Sequence, residues 1–135
     1  MDFIIDGNNV ALSNNGRKAK LEWLLAIIKE LNPIGTVFPV VSASLKYRID
    51  DQDQLTELIK KQVVWETPAG EDTDLFILEL ARKLKGYIVS NDRFRQYKEI
   101  YPSIVNQRFS FLLVEDKEGN VNAILPWIKQ FRSGN

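Results

Sequence analysis

The chain alternates short apolar, β-branched runs with longer stretches in which apolar residues recur every three to four positions, and this alternation predicts its elements. Residues 2–5 form an apolar run that breaks into Asp6-Gly7-Asn8-Asn9, the pattern of a buried strand opening into a polar turn. Leu21, Leu24, Leu25, Ile28 and Leu31 then share one face of a helix predicted over 17–31, stopped by Asn32-Pro33. The β-branched stretch 36–41 reads as a second strand, Leu55, Leu58 and Ile59 as the buried face of a helix over 51–61, and 62–65 as a third strand. After turn-rich residues 66–73, Phe76, Ile77, Leu80, Ala81 and Leu84 mark another helix, with Gly86 expected to close it. Residues 87–89 read as a fourth strand ending in Ser90-Asn91-Asp92, and 93–97 as the start of a short helix. The tail differs: 109–114 and 121–125 around a turn at 116–120 suggest a hairpin, followed by a further short helix.

Strands separated by helices need crossovers, so the pattern predicts an α/β fold, a three-layer α/β/α sandwich around a mostly parallel sheet. A length of 135 residues and a hydrophobic content of 44% fit a single domain spanning 1–135. In such sheets ligands bind beyond the carboxyl ends of the strands, where strand order reverses. Asp6 and Asp92 each follow a predicted strand, so both belong to that crevice. Asp74 lies in the first turn of the third predicted helix, at the border of its apolar stripe, whereas Asp72 is better placed to cap that helix. Asp74 is therefore the preferred site residue of the two, with Glu71 and Asp72 beside it.

Composition narrows the chemistry. The chain contains no cysteine and no histidine. Disulfides, thiolate zinc sites, thiol nucleophiles, Ser-His-Asp triads and imidazole-ligated metals are excluded, and a reducing cytoplasm is the expected compartment. No apolar run approaches the roughly 20 residues of a membrane helix, and no secretory signal opens the chain, so a soluble protein is expected. Eighteen basic residues balance eighteen acidic ones. Nucleic-acid binding would then have to come from segregated patches.

Taken singly, each acid has an equally good structural explanation: Asp6-Gly7 as a turn, Asp72 as a cap, Asp74 as a favourable charge at a helix N-terminus. Three acids converging on one sheet edge are harder to explain this way, because like charges about 4 Å apart repel by about 4 kcal/mol at an effective dielectric near 20. A cation must offset that repulsion. Oxygen-only ligation favours Mg²⁺ or Mn²⁺, which can lower the pKa of a bound water and stabilise charge on a phosphodiester oxygen. Asp6, Asp74, Asp92 and Asp72 are the candidate metal ligands, with Asn8, Asn9, Ser90, Asn91 and Glu71 in support. Arg17 and Lys18, Lys46, Tyr47 and Arg48, and Arg93, Arg95 and Lys98 are candidate contacts for the phosphates flanking a scissile bond, with Tyr47 or Phe94 available for stacking. Receiver domains and haloacid-dehalogenase-type phosphatases fit poorly: the chain has Trp65-Glu66-Thr67 after strand three and Asp6-Gly7-Asn8 after strand one. It carries no dinucleotide or P-loop motif.

Three blocks also carry a family likeness: Ile4-Ile5-Asp6-Gly7-Asn8-Asn9-Val10-Ala11, Asp74-Leu75-Phe76-Ile77 leading to Leu80-Ala81, and Ile88-Val89-Ser90-Asn91-Asp92-Arg93-Phe94-Arg95. In order and spacing they resemble the NYN branch of the PIN-like superfamily, and within it the regnase-like, zinc-finger-associated ribonuclease domain. Val64-Trp65-Glu66-Thr67-Pro68 resembles the strand before the family's central acids, and the likeness runs from residue 2 to about 126. It implies a PIN-like fold, Mg²⁺-dependent endoribonuclease activity on single-stranded or structured RNA, and catalytic roles for Asp6, Asn9, Asp74 and Asp92. Homodimers also occur among such relatives. The chain departs from the pattern at Thr73, where the family has an acid adjacent to the one at Asp74, and at Gln96, where it has a further acid. The alternative those departures raise is an RNA-binding or scaffold module that has lost catalysis.

Overall fold

In the computed structural model, which describes residues 1–13 and 18–132, the first strand β1 (Asp2–Asp6) lies at the centre of a five-stranded sheet. Its apolar residues alternate between two cores: Phe3 and Ile5 face one layer, Ile4 the other. A one-turn helix α1 (Gly7–Ala11) follows without a break, capped by the Asp6 carboxylate, where a polar turn was expected. It forms because Val10 and Ala11 are fully buried and because Gly7 fits tightly against β2: a Cβ at Gly7 would lie 2.6 Å from Val41 Cγ1 and 2.7 Å from the Val40 carbonyl oxygen.

Helix α2 (Leu21–Leu31) starts later than its apolar spacing predicts. Ala19 is bridged to Ile49, and the Asp50 carboxylate accepts from the Leu21 N–H at 3.0 Å, so a residue distant in sequence marks the helix start. Strand β2 (Thr36–Val41) is followed by a 3₁₀ turn (Leu45–Tyr47) and by α3 (Gln52–Lys60), capped by Asp51. Strand β3 is confined to Trp65–Glu66, shifted from the predicted 62–65. Helix α4 (Thr73–Leu84) leads to β4 (Tyr87–Val89). The left-handed residue that ends α4 is Lys85, with φ 54°, and not Gly86. Glycine at 86 is needed for close approach instead, since a Cβ there would sit 2.7 Å from Ile4 Cδ1 and 2.8 Å from the Asp2 carbonyl oxygen.

Beyond β4 come a 3₁₀ turn (Arg95–Tyr97), a four-residue α5 (Pro102–Val105) and β5 (Arg108–Phe109). The stretch expected as one strand over 109–114 is divided: β5 joins the main sheet, and β6 (Leu112–Glu115) pairs antiparallel with β7 (Val121–Ile124). A 3₁₀ turn (Ile128–Phe131) follows.

The main sheet is parallel throughout, in the order β3-β2-β1-β4-β5. Helices α1, α2 and α3 and the β6–β7 hairpin pack on one face through Leu21, Leu24, Ile27, Leu55 and Leu125, and α4 and α5 on the other through Ile77, Leu78, Ala81 and Ile104. This is the expected three-layer α/β/α sandwich. The chain runs outward from β1 to β2 and β3, then returns to place β4 on the opposite side of β1. Strand order therefore reverses between β1 and β4, and a crevice opens beyond their carboxyl ends.

Candidate metal centre at the sheet edge

Asp6 is the last residue of β1, at that reversal point, and only 4% exposed. Both of its oxygens are engaged: Oδ1 accepts from the Asn9 N–H at 3.3 Å and Oδ2 from the Ser90 hydroxyl at 2.8 Å. Ser90, fully buried after β4, also accepts from the Asp92 N–H at 3.0 Å, so one hydroxyl links the two acids flanking the crevice. Asp74 enters from the first turn of α4, half-buried. One oxygen from each of Asp6, Asp74 and Asp92 lies within 4.8 Å of the others.

The cost of this arrangement is visible in its acidities. Burial, moderated by the hydrogen bonds from Ser90 and Asn9 and increased by the charges of Asp74 and Asp92, raises the Asp6 pKa to about 6. Burial, then the charges of Asp92 and Asp72, raises that of Asp74 as well. At 4.8 Å each ionised pair repels by roughly 3 kcal/mol at an effective dielectric near 20. Among the described residues, no ion pair involves any of the three. Three converging carboxylates with no ion-pair partner among the described residues, in a chain lacking histidine and cysteine, are an oxygen-only donor set suited to a hard divalent ion.

Two adjoining clefts open at this point and share Asp74, Asn91 and Asp92. The first, about 450 Å³, is completed by Asp6, Asn8, Asn9, Leu12 and Ser13. The second, about 470 Å³, is walled by Arg93, Arg95 and Gln96, placing two exposed guanidinium side chains next to the acids. Asn9 lines the first cleft, and its Oδ1 accepts from the Asn91 N–H at 2.9 Å, tying the α1 turn to the loop after β4.

Several expected site residues have other roles here. The Asp72 carboxylate lies outside the triad: Oδ1 caps α4 by accepting from the N–H groups of Asp74 (2.9 Å) and Leu75 (3.3 Å), and Oδ2 accepts from the Tyr97 hydroxyl. Glu71 sits on the exposed loop before that cap, its N–H donating to the Pro68 carbonyl, and is also outside the triad. The Asn8 amide is committed to Ser42, donating to Oγ at 2.8 Å and accepting from the N–H at 3.0 Å, so it braces α1 on the end of β2. Asn91 does not hold a carboxylate: its amide donates to the Phe111 carbonyl at 3.1 Å and accepts from the Phe111 N–H at 3.0 Å. Phe94 cannot serve as a stacking platform, because its ring is 1% exposed and packs with Ile4, Ile77 and Ile88. Its left-handed backbone (φ 50°) is held by its N–H donating to Asp92 Oδ1 at 2.8 Å, a strained turn that anchors the loop carrying Asp92.

Lys46 ion-pairs with Glu66 at 3.6 Å and lies over the Tyr47 ring, which is 74% exposed beside a separate cleft of about 390 Å³ at the ends of β2 and β3. Arg48, Lys18 and Lys98 are exposed, and Arg17 lies outside the described residues. Arg108 was not anticipated. Its Nη1 donates to the Ser90 carbonyl at 2.9 Å and steadies the end of β4 from the neighbouring strand. Nothing in its sequence surroundings distinguishes it from other surface arginines.

A family described as the Zc3h12a-like ribonuclease NYN domain matches residues 2–122. The chain belongs to that family. Its fold is shared by two solved structures of the nuclear protein-only RNase P 2 of Arabidopsis thaliana, at TM-scores of 0.68 and 0.66. Sequence identity is 22% in both, over 92% of this chain and 29% of theirs, so this NYN domain spans under a third of the proteins it resembles in structure. No curated protein matches it.

Proposed function

We propose that this NYN domain is a metal-dependent endoribonuclease that hydrolyses RNA phosphodiester bonds, with Asp6, Asp74 and Asp92 holding Mg²⁺ or Mn²⁺. The observation that carries the proposal is the convergence of those three carboxylates within 4.8 Å at the β1/β4 reversal. Burial and mutual repulsion make the triad costly without a cation, and oxygen-only ligation selects the hard divalent ions. When bound there, such a cation would supply positive charge to offset the negative charge developing on a phosphodiester oxygen and would lower the pKa of water at the site. The chain's own groups do the positioning: Ser90 and Asn9 hold the Asp6 carboxylate, and Asn9 fixes the α1 turn against the loop bearing Asp92. Arg93 and Arg95, exposed on the adjoining cleft, hold the phosphates that flank the scissile bond.

A second reading, an RNA-binding module with weakened catalysis, is favoured by Gln96, an uncharged residue lining the cleft beside Asp92. The substrate in either case is RNA. A cytoplasmic location is part of the proposal, resting on the absence of cysteine. Among the described residues no helix is long and apolar enough to cross a membrane.

The test is cleavage of a fluorescent single-stranded RNA by purified protein in Mn²⁺, Mg²⁺ or EDTA. Metal-dependent cleavage that Asp6→Asn abolishes, with circular dichroism unchanged, supports the nuclease. RNA binding without cleavage in either metal favours the second reading.

A further inference from the structure

Two of the three acids reach the crevice from elements not joined to one another by the sheet: Asp74 from the first turn of α4, Asp92 from the loop after β4. The buried face of α4 fixes the helix on the sheet through Ile77, Leu78 and Ala81, all further along than Asp74. The turn carrying Asp74 projects beyond that anchor. One carboxylate spans the gap. Asp72 Oδ1 accepts from the Asp74 N–H, while Oδ2 accepts from the hydroxyl of Tyr97, five residues past Asp92 in the same loop. Between them, Phe94 ties the loop to Asp92 through its N–H and to the core through its ring. The path Asp92, Phe94, Tyr97, Asp72, Asp74 thus joins one acid to another without a break.

We propose that Tyr97 is a positioning residue, acting through Asp72 to set the separation of the Asp74 and Asp92 carboxylates and hence the affinity of the site for a divalent cation. The inference deepens the metal-site proposal above and rests on it. A contact that merely stapled the surface would behave differently, and the molecule contains the comparison. The Tyr101 hydroxyl makes the same kind of bond to α4, donating to Glu79 Oε2 at 2.5 Å, but at a position seven residues past Asp72 and without contact to the helix start. Both tyrosines are half-buried or nearly so and both bind a carboxylate at α4. Only Tyr97 binds the residue that caps the turn of Asp74.

The experiment is Mn²⁺ titration by calorimetry of the whole chain and of Tyr97→Phe, Tyr101→Phe, Asp72→Ser and the double variant Asp72→Ser/Tyr97→Phe, with urea unfolding in EDTA as a parallel readout. Serine keeps a cap for α4 but is too short to hold the tyrosine. Tyr97→Phe should weaken Mn²⁺ binding roughly tenfold, the scale seen when a hydrogen bond that orients a ligand is removed. Cleavage at saturating Mn²⁺ should change much less than at limiting Mn²⁺. Tyr101→Phe should leave Mn²⁺ affinity unchanged, and Tyr97→Phe should have no further effect in the Asp72→Ser background. Equal affinity in Tyr97→Phe and the wild type overturns the proposal even if RNA is cleaved, as does an equal loss in Tyr101→Phe. If the wild type binds Mn²⁺ but cuts no RNA, the nuclease proposal fails while the tenfold shift still decides for the strut. Absence of Mn²⁺ binding in the wild type overturns both.

Discussion

Replacing Asp6 by asparagine should make the metal-free protein more stable, although Asp6 is central to the proposed activity. The folded state raises the pKa of Asp6 from 3.8 to about 6, burial being the main cause. Each unit is about 1.4 kcal/mol, so the ionised carboxylate disfavours folding by about 3 kcal/mol above pH 6. The sign follows from linkage: the native state binds the proton more tightly than the unfolded chain, so stability from this group is fully present below the unfolded value and is lost as pH rises from 3.8 through 6. Asparagine removes the charge and can keep the bond to the Asn9 N–H through its single oxygen. The Ser90 bond must reverse direction, which returns part of the gain. A net stabilisation of about 1–3 kcal/mol is expected at about pH 7.5 in EDTA, read by urea denaturation. The difference between variant and wild type should shrink by roughly half at about pH 5, where much of the wild-type carboxylate is already protonated. At roughly one thousand times the Kd for Mn²⁺ the order should reverse, because only the wild type gains binding energy, about 4.1 kcal/mol. A variant less stable than wild type at neutral pH in EDTA, or a difference that ignores pH, would refute the argument that Asp6 carries a buried charge awaiting a cation.

Other substitutions probe the frame around the site. Phe94→Ala should cost about 3–5 kcal/mol in thermal or urea unfolding, because the ring is core; an unchanged stability would return it to the role of a surface platform. Gly7→Ala should destabilise by more than about 1 kcal/mol, since a Cβ meets the Val40 carbonyl oxygen at 2.7 Å and backbone cannot give as a side chain can. Removing Arg93 and Arg95 together should flatten the salt dependence of single-stranded RNA affinity, by about 0.7 in the log–log slope for each phosphate no longer neutralised, with no change in Mn²⁺ affinity.

Much of this architecture can be read from residue order alone. The strand at 36–41 and the strand at 87–89 are legible to the residue, because β-branched runs bounded by polar residues leave little choice. The preference for Asp74 over Asp72 follows from helical geometry, and the cap at Asp72 has the expected form. What the sequence hides depends on distant partners. Gly7-Asn8-Asn9 has the composition of a turn, yet becomes helical because Val10 and Ala11 are buried against neighbours far along the chain. The break between β5 and β6 is made where Asn91 binds both backbone groups of Phe111, twenty residues away. Phe94 looks like an exposed aromatic among arginines, and only the left-handed turn at that residue carries the ring inward. Lys85 takes the positive φ expected of its neighbour, while Gly86 is required by the approach of β1, a contact with no local signature.

The central claim is that Asp6, Asp74 and Asp92 share one divalent cation, and the anomalous scattering of Mn²⁺ in crystals of this chain tests it directly. A peak is expected between the three acids, with an oxygen of each in its coordination sphere, that disappears in Asp6→Asn. A peak elsewhere, or none at Mn²⁺ concentrations that support RNA cleavage, would contradict it.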